Sequence, residues 1–282
     1  MDRHSPAGTA ETMTAETATA ESGSSYARAD LDGDSPAIRL FGLMELIVAK
    51  DSFVSLQSLT TETQIPKPTL HRMLQQLEGA DLLIRQGDGR HYGTGPRLRR
   101  FAESLLLNAT QHGARRAVLR DLVNDLGETC VVATISGNEV LYVDVIDTPQ
   151  PLRFVVEAGS RAPIHCTASG KMGLSQMSPS QRRRLLEPAR LIASTPRTIT
   201  DLDILEEELL STRQRGWALD VEEYLPSLVC AAVPIPQTGR SNLFLAVQAP
   251  ALRMAETRVL EILPALEEAA RAIRKIEDEG IA

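Results

Sequence analysis

The stretch Ile65–Gly79, IPKPTLHRMLQQLEG, carries the side chains best suited to grip a polyanion. Leu70, Met73, Leu74 and Leu77 recur at i, i+3, i+4 and i+7, the spacing that gathers apolar groups on one stripe of a helix. Lys67, Thr69, His71, Arg72, Gln75 and Gln76 fill the remaining surface, and no acid follows before Glu78. That face offers donors to phosphates and to base edges in a major groove. Gly79 is placed to stop the helix as its C′ residue. Any solvated helix can present a polar face, so the flanking elements must decide what this one does.

Upstream, Ala37–Ala49 reads as an amphipathic helix with Ile38, Phe41, Leu43, Leu46 and Ile47 turned inward. Ser55–Thr63 supplies a second short helix through Leu56 and Leu59, and Gln64-Ile65-Pro66 turns the chain into the Lys67 helix. Two short helices joined by a tight turn, the second exposing donors, make a helix-turn-helix. Downstream, Leu82–Arg85 and His91–Thr94 read as strands around the Gly-rich turn Gly87–Arg90. The hairpin makes the motif winged and brings Arg90 to the wing tip as a further DNA contact. The order helix, helix-turn-helix, wing is far more specific than any one of its parts.

The net charge of −7 looks wrong for a nucleic-acid binder until it is divided along the chain. Residues 1–34 hold two arginines against seven acids, residues 35–111 nine bases against seven acids, and residues 112–282 nineteen against twenty-three. The only basic segment is the one that carries the helix-turn-helix, where phosphates would need neutralising. Residues 1–34 lack the apolar run of a signal peptide and read as a disordered acidic tail. An apolar fraction of 43% in 282 residues suits a globular chain of one or two domains. No run reaches the ~18 apolar residues of a membrane span. Three scattered cysteines (Cys130, Cys166, Cys230) argue against disulfides and for a reducing cytoplasm.

Beyond the wing, Pro96 opens a linker helix whose apolar stripe is Leu98, Phe101 and Leu105. Ala114–Leu126 forms another helix, stopped by Gly127, that buries Val118, Leu119, Leu122 and Leu126. The period then turns extended: Thr129–Ile135, Glu139–Ile146 and Leu152–Glu157 read as strands, with Val229–Ile235 and Leu243–Val247 later. Gln237–Arg240 is the turn between the last two. Thr167–Gln176, Ser180–Leu186 and a capped helix from Asp201 to Arg215, ended by Gly216, lie between. Glu256–Ile276 is a final helix in which Pro264 predicts a kink or a late start. Helices around an antiparallel sheet give an α+β domain.

The chain resembles the IclR family of bacterial transcriptional regulators from about Ile38 to Ile276. Ile65-Pro66-Lys67-Pro68-Thr69-Leu70-His71-Arg72-Met73-Leu74 fills the family's recognition segment, and Tyr92-Gly93-Thr94-Gly95-Pro96 its wing. Pro163–Lys171, Thr195–Thr200, Arg215–Glu223 and Val229–Pro234 continue the resemblance in order. It implies residues 35–95 as a winged helix-turn-helix, 96–112 as a linker helix and 113–282 as a GAF-like effector-binding domain, assembled as a dimer or tetramer. Pro68 stands where the family usually has Ser, Gln64 where a Gly makes the turn, and Thr60 where a small Ala lets the helices close. If Gln64 takes a positive φ, the turn carries modest strain.

By the same resemblance the effector contacts fall on Gly159, Cys166, Asp220, Cys230, Ala246 and Gln248. Ala246 and Gln248 replace two hydroxyls that often bind a carboxylate, which points to a pocket of different shape. An organic acid, aromatic ones included, would meet main-chain N–H groups from Thr167 onward at a helix amino end.

Other chemistries fit less well. Thr167-Ala168-Ser169-Gly170-Lys171 resembles a phosphate loop only superficially, because His165 stands where that pattern needs Gly. Cys166, Cys230, His165 and Asp220 are zinc-ligand types, but their scatter favours buried core thiols. A Cys166–His165 nucleophile is disfavoured, since neighbours on a strand point to opposite faces. The runs Arg182–Arg184 and Glu206–Glu208 read as solvated helix faces. We therefore expect a transcriptional regulator, a repressor by preference, that is not an enzyme and needs no cofactor or metal. It would bind double-stranded operator DNA through Lys67, Thr69, His71, Arg72, Gln75 and Arg90, under control of a small-molecule effector. The alternative is a metabolite-binding protein or enzyme whose helix-turn-helix serves only protein contacts.

Overall fold

The computed structural model describes residues 35–50, 52–86, 89–107, 112–187, 191–237 and 241–279. The acidic segment 1–34, Gly87-Asp88 of the wing turn and most of the turn Gln237–Arg240 lie outside them. The chain divides between Gly95 and Pro96 into two compact units.

The first unit comprises α1 (Pro36–Val48), β1 (Val54–Ser55), α2 (Leu56–Thr63), α3 (Lys67–Gly79), β2 (Leu83–Arg85) and β3 (His91–Thr94). Ser55 Oγ accepts the Ser58 amide at 3.1 Å and so caps α2. The turn that follows puts Gln64 at φ +56, the left-handed region expected if Gln replaces Gly there. Its side chain offsets part of that strain by donating to Thr61 O at 2.6 Å. At the other end of α3 the sequence expectation fails. Gly79 is the last helical residue, not the stop, and the left-handed position falls on Asp81 (φ +59). The Asp81 amide reaches Glu78 O at 2.9 Å and the Leu82 amide reaches Leu77 O at 3.0 Å, the paired bonds of a Schellman ending.

The wing strands pair antiparallel, with Leu83 opposite Thr94 and Arg85 opposite Tyr92. A third strand, β1, adds to β3 and was invisible in the sequence because it is two residues long. Leu43, Leu46, Ile47, Leu59, Leu70, Leu74, Leu77, Leu83 and Tyr92 make the core. Ile38 and Phe41 do not join it: they remain 47% and 55% exposed, because α1 turns its Leu43–Ile47 side inward instead.

The second unit begins with α4 (Pro96–Leu107) and α5 (His112–Leu126) and contains a six-stranded antiparallel sheet. Its strands are β4 (Thr129–Ser136), β5 (Glu139–Ile146), β6 (Arg161–Pro163), β7 (Ala218–Val221), β8 (Leu228–Pro234) and β9 (Leu243–Pro250), in the order β6-β5-β4-β9-β8-β7. The remaining helices are α6 (Ala168–Ser175), α7 (Pro179–Leu186), α8 (Leu202–Arg215) and α9 (Glu256–Glu279). Side chains alternate along each strand. Val132, Ala231, Val233, Leu245 and Val247 pack with Leu119 and Leu122 of α5 and with Val259, Ile262 and Leu266 of α9. Val131, Ala133, Ala232, Phe244 and Ala246 pack on the other side with Met172 of α6 and with Leu205 and Leu209 of α8.

Two expectations for this unit need correcting, the strand at Leu152–Glu157 and the fully solvated charge runs. Leu152–Glu157 is not a strand; β6 takes the place beside β5, and Leu152 and Val155 lie exposed. The α4 stripe forms at the expected spacing and leaves Phe101 and Leu105 more than half exposed, with Leu98 half-buried. Of the two outcomes expected at Pro264 the late start does not occur, since α9 begins at Glu256, includes Pro264 and extends to Glu279. Arg182 is not solvated: it is buried, donating to Met177 O at 2.6 Å and pairing with Glu206. Glu208 likewise turns back, to Arg215 at 2.9 Å.

Candidate functional site

On α3 the sequence pattern becomes two faces. Leu70 and Leu74 are fully buried and Met73 and Leu77 nearly so, an anchorage worth roughly 1.5–3 kcal/mol for each side chain. Opposite them Lys67, Arg72, Gln75 and Gln76 are exposed, with Thr69 and His71 half-exposed. The acids near this face are engaged elsewhere: Glu78 with Arg85 at 2.7 Å and Glu62 with Lys50 at 2.7 Å. Arg90 is exposed immediately before β3. Chemically, the face can bond phosphate oxygens and base edges, and nothing on it repels either.

The second site lies in the sheet unit, at the amino end of α6. Thr167 is the N-cap, its hydroxyl donating to Pro163 O at 2.9 Å and accepting the Gly170 amide at 3.3 Å. The free amides of that first turn carry the positive end of the helix dipole. Gly170 is required here, because a β-carbon on it would stand 2.0 Å from Ile164 O. Around this helix end Thr167, Ala168, Ser169, Asp220, Cys230, Ala246 and Gln248 line one cavity of about 290 Å³ of empty space. Val131, Tyr142 and Tyr224 complete it; no motif or spacing marks these three, which come together through strand register and the turn after β7.

The inner cavity is narrow, with room for about one water. Tyr142, Tyr224 and Gln248 also line an outer cleft of about 760 Å³ with Phe154, Val156 and Leu228. The two voids therefore share a wall of two phenols and an amide, and Gln248 Nε2 is tied to Phe154 O at 3.1 Å.

Cys166 and Gly159 stand apart from the lining. Cys166 is fully buried just before the Thr167 cap. Gly159 is exposed, has φ +89, and spends its amide on Tyr142 O at 2.7 Å. It can act on the cavity through Tyr142 but does not face it.

The electrostatics are unusual for a site expected to hold an anion. Asp220 is fully buried, and desolvation raises its carboxyl to about 7 in spite of amide bonds to Oδ1. Lys171, also buried, pairs with Glu223 and stands 3.5 Å from Glu208. Burial raises Glu223 despite that partner, and raises the phenol of Tyr142. Burial pushes the Cys166 thiol up to about 12, which removes any thiolate nucleophile at neutral pH. His165 turns to Ile192 O at 3.1 Å, and burial lowers its pKa. Among the described residues no three His, Cys, Asp or Glu side chains gather as metal ligands. No described helix is long and apolar enough to cross a membrane.

Comparison with known proteins agrees with both halves of this geometry. Residues 36–87 match the IclR helix-turn-helix domain, and residues 111–275 match the bacterial transcriptional regulator IclR C-terminal domain. The probable transcriptional regulator SauR of Cupriavidus necator is 38% identical over 238 residues, 84% of this chain and 94% of that protein. The transcriptional repressor IclR of Escherichia coli is 27% identical over 82% of this chain and 85% of its own length. Among solved structures, the Thermotoga maritima IclR superposes with a TM-score of 0.57 at 25% identity, covering 84% of this chain and 96% of that one. With a donor-bearing helix-turn-helix in one unit and a cavity at a helix amino end in the other, this chain belongs to the IclR family of bacterial transcriptional regulators.

Proposed function

We propose that this regulator is an operator-binding repressor, with α3 laid in the major groove and a small organic acid held in the sheet unit. The observation that carries the proposal is the division of α3 into a buried leucine face and an exposed face of Lys67, Arg72, Gln75 and Gln76. Lys67 and Arg72 would hold phosphate or guanine, Thr69, His71 and Gln75 local base or backbone contacts, and Arg90 the neighbouring backbone from the wing. Residues 35–95 would be the DNA-binding domain, 96–112 the linker and 113–282 the effector domain, working in the compartment that holds the DNA and adding no enzymatic step.

The exposed apolar side chains of α1 (Ile38, Phe41, Val48) and α4 (Phe101, Leu105) support assembly into a dimer or tetramer. Two-fold symmetry would then set two α3 helices on half-sites one helical turn or more apart.

For the effector, the α6 amino end offers main-chain donors to a carboxylate, and the Tyr142–Tyr224 wall leads to an outer cleft lined by Phe154 and Val156. An acid with an apolar or aromatic body suits that shape better than a two- or three-carbon acid. Binding would favour one dimer arrangement and so alter the spacing of the reading helices. The test is fluorescence anisotropy with DNA from upstream of the chain's own gene. Sequence-selective, salt-dependent binding that an organic acid weakens is the expected result. Binding that ignores salt and sequence would reject the repressor reading, and tight binding of pyruvate with none of larger acids would reject the effector reading.

A further inference from the structure

The outer cleft has one cation on its described lining, Arg161, which opens β6 at the edge of the sheet. Its guanidinium is divided between partners. Nη2 donates to Glu103 of α4 at 2.7 Å, while Nη1 reaches Ser136 Oγ at 3.2 Å and Glu139 at 3.4 Å. Ser136 in turn donates its hydroxyl to Glu103. No residue of α4 is buried; Leu106 packs against the sheet's core, and Glu103 supplies a polar tie. The same helix is the first element after the break between the two units. One guanidinium therefore joins the wall of the cleft to α4.

We propose that the effector is an acid with two anionic ends, the second received by Arg161, which leaves Glu103 and so loosens α4. The inference rests on the acid site proposed above, in which the first carboxylate meets the α6 amino end and the body lies toward Phe154 and Val156. Chemistry is the first argument: a guanidinium is a planar fork that takes a carboxylate by two parallel N–H bonds. Cost is the second. The Arg161 and Glu103 side chains are 35% and 19% exposed, and a pair this wet is favoured by no more than about fivefold. Presentation is the third. Once the body of the acid is seated, its far end is delivered to Arg161 as an intramolecular partner. Glu157 shares the lining, but it is exposed, so solvent and salt screen its repulsion.

Calorimetry on the full chain with 1,4-phenylenediacetate and its monoamide tests this, since the two share an outline and differ by one charge. The natural chain should bind the diacid about tenfold tighter. Arg161→Gln should erase that preference in a protein whose circular dichroism is unchanged. Glu103→Gln removes the competitor, so it should tighten the diacid by up to about fivefold and leave the monoamide alone. A merely structural tie would produce no such gain. Hydrogen exchange in α4 should quicken on adding the diacid but not the monoamide, and should already be quick in ligand-free Glu103→Gln. Equal binding of the two probes by the natural chain would overturn the proposal and leave the α6 acid site standing. Weaker diacid binding in Glu103→Gln, or α4 exchange indifferent to the diacid, would overturn it as well. Binding of neither probe would reject the acid site and this inference with it.

Discussion

Oδ1 of Asp220 accepts the Glu223 amide at 2.8 Å, while Oδ2 of the same carboxyl, equally buried, meets no donor. Tyr224 donates a second amide to Oδ1 at 3.3 Å, so the turn after β7 is organised around one half of a carboxyl and leaves the other half to the cavity. A neutral carboxyl can donate from Oδ2 to a bound carboxylate; an ionised one repels it.

Stability should follow from this arrangement in a definite direction. The folded pKa, about 7, lies above the ordinary aspartate value of 3.8, so the folded state binds the extra proton between those limits. The contribution is present in full below the unfolded pKa and is lost as pH rises through the folded one. Asp220→Asn keeps the Oδ1 acceptor and removes the titration. Relative to the natural chain, it should gain stability from pH 5 to pH 8 by up to about 3 kcal/mol, read from urea midpoints. Calorimetry should also find anionic effectors binding the natural chain more weakly at pH 8 than at pH 6. A stability difference that is flat in pH would mean that Asp220 stays ionised.

Among the described residues Lys171 is the only cation shown in direct contact with Glu223, and both are out of water. Lys171→Met should cost about 3–5 kcal/mol by stranding that carboxylate, whereas adding Glu223→Leu should recover most of the loss. Failure of the second change to restore stability would show that Lys171 matters for its packing and not its charge.

Replacing the two cations of α3 should separate their roles. Lys67→Ala should weaken all duplexes alike and reduce the salt slope by about one, as loss of a phosphate contact does. Arg72→Ala should cost about 1–3 kcal/mol on the operator and little on random DNA, if its guanidinium reads a base. Identical behaviour of the two variants on both DNAs would assign both residues to backbone contact. The parallel stability measurement should show no change, since both side chains are exposed.

Periodicity made the helices legible, because the stripe Leu70–Leu77 and the cap–stop pair Asp201 and Gly216 are local signals. It erred wherever burial depends on a surface outside the element. Phe41, Phe101 and Leu105 sit at helical spacing yet are more than half exposed. Leu152–Glu157 has strand-like residues, but its place beside β5 is filled by Arg161–Pro163. The buried pair Arg115–Asp144, 2.6 Å apart, joins α5 to β5 and had no sequence signature at 29 residues' separation. In the cavity, residues drawn from the family motifs stood out, while Tyr142 and Tyr224 did not. Single tyrosines carry no spacing, and only the sheet register makes them a wall.

The amino end of α6 offers the sharpest test of the cavity, since its geometry depends on one missing methyl group. A β-carbon at Gly170 would stand 2.0 Å from Ile164 O and 2.7 Å from the Thr167 hydroxyl. The first neighbour is main chain and cannot swing aside, so the opening turn of α6 must move as a unit. That movement would break the Gly170–Thr167 cap and re-aim the amides proposed to hold a carboxylate. Gly170→Ala should therefore lower stability by about 1–3 kcal/mol and abolish effector response, yet leave operator binding in place. Gly113→Ala is the control: its β-carbon would meet nothing within 4 Å, and the change should be neutral or slightly stabilising. A Gly170→Ala protein that still releases DNA on adding the acid would show that the carboxylate is held elsewhere in the cavity. Tyr142→Phe and Tyr224→Phe would then become informative replacements, because the two phenols are donors on the wall shared with the outer cleft.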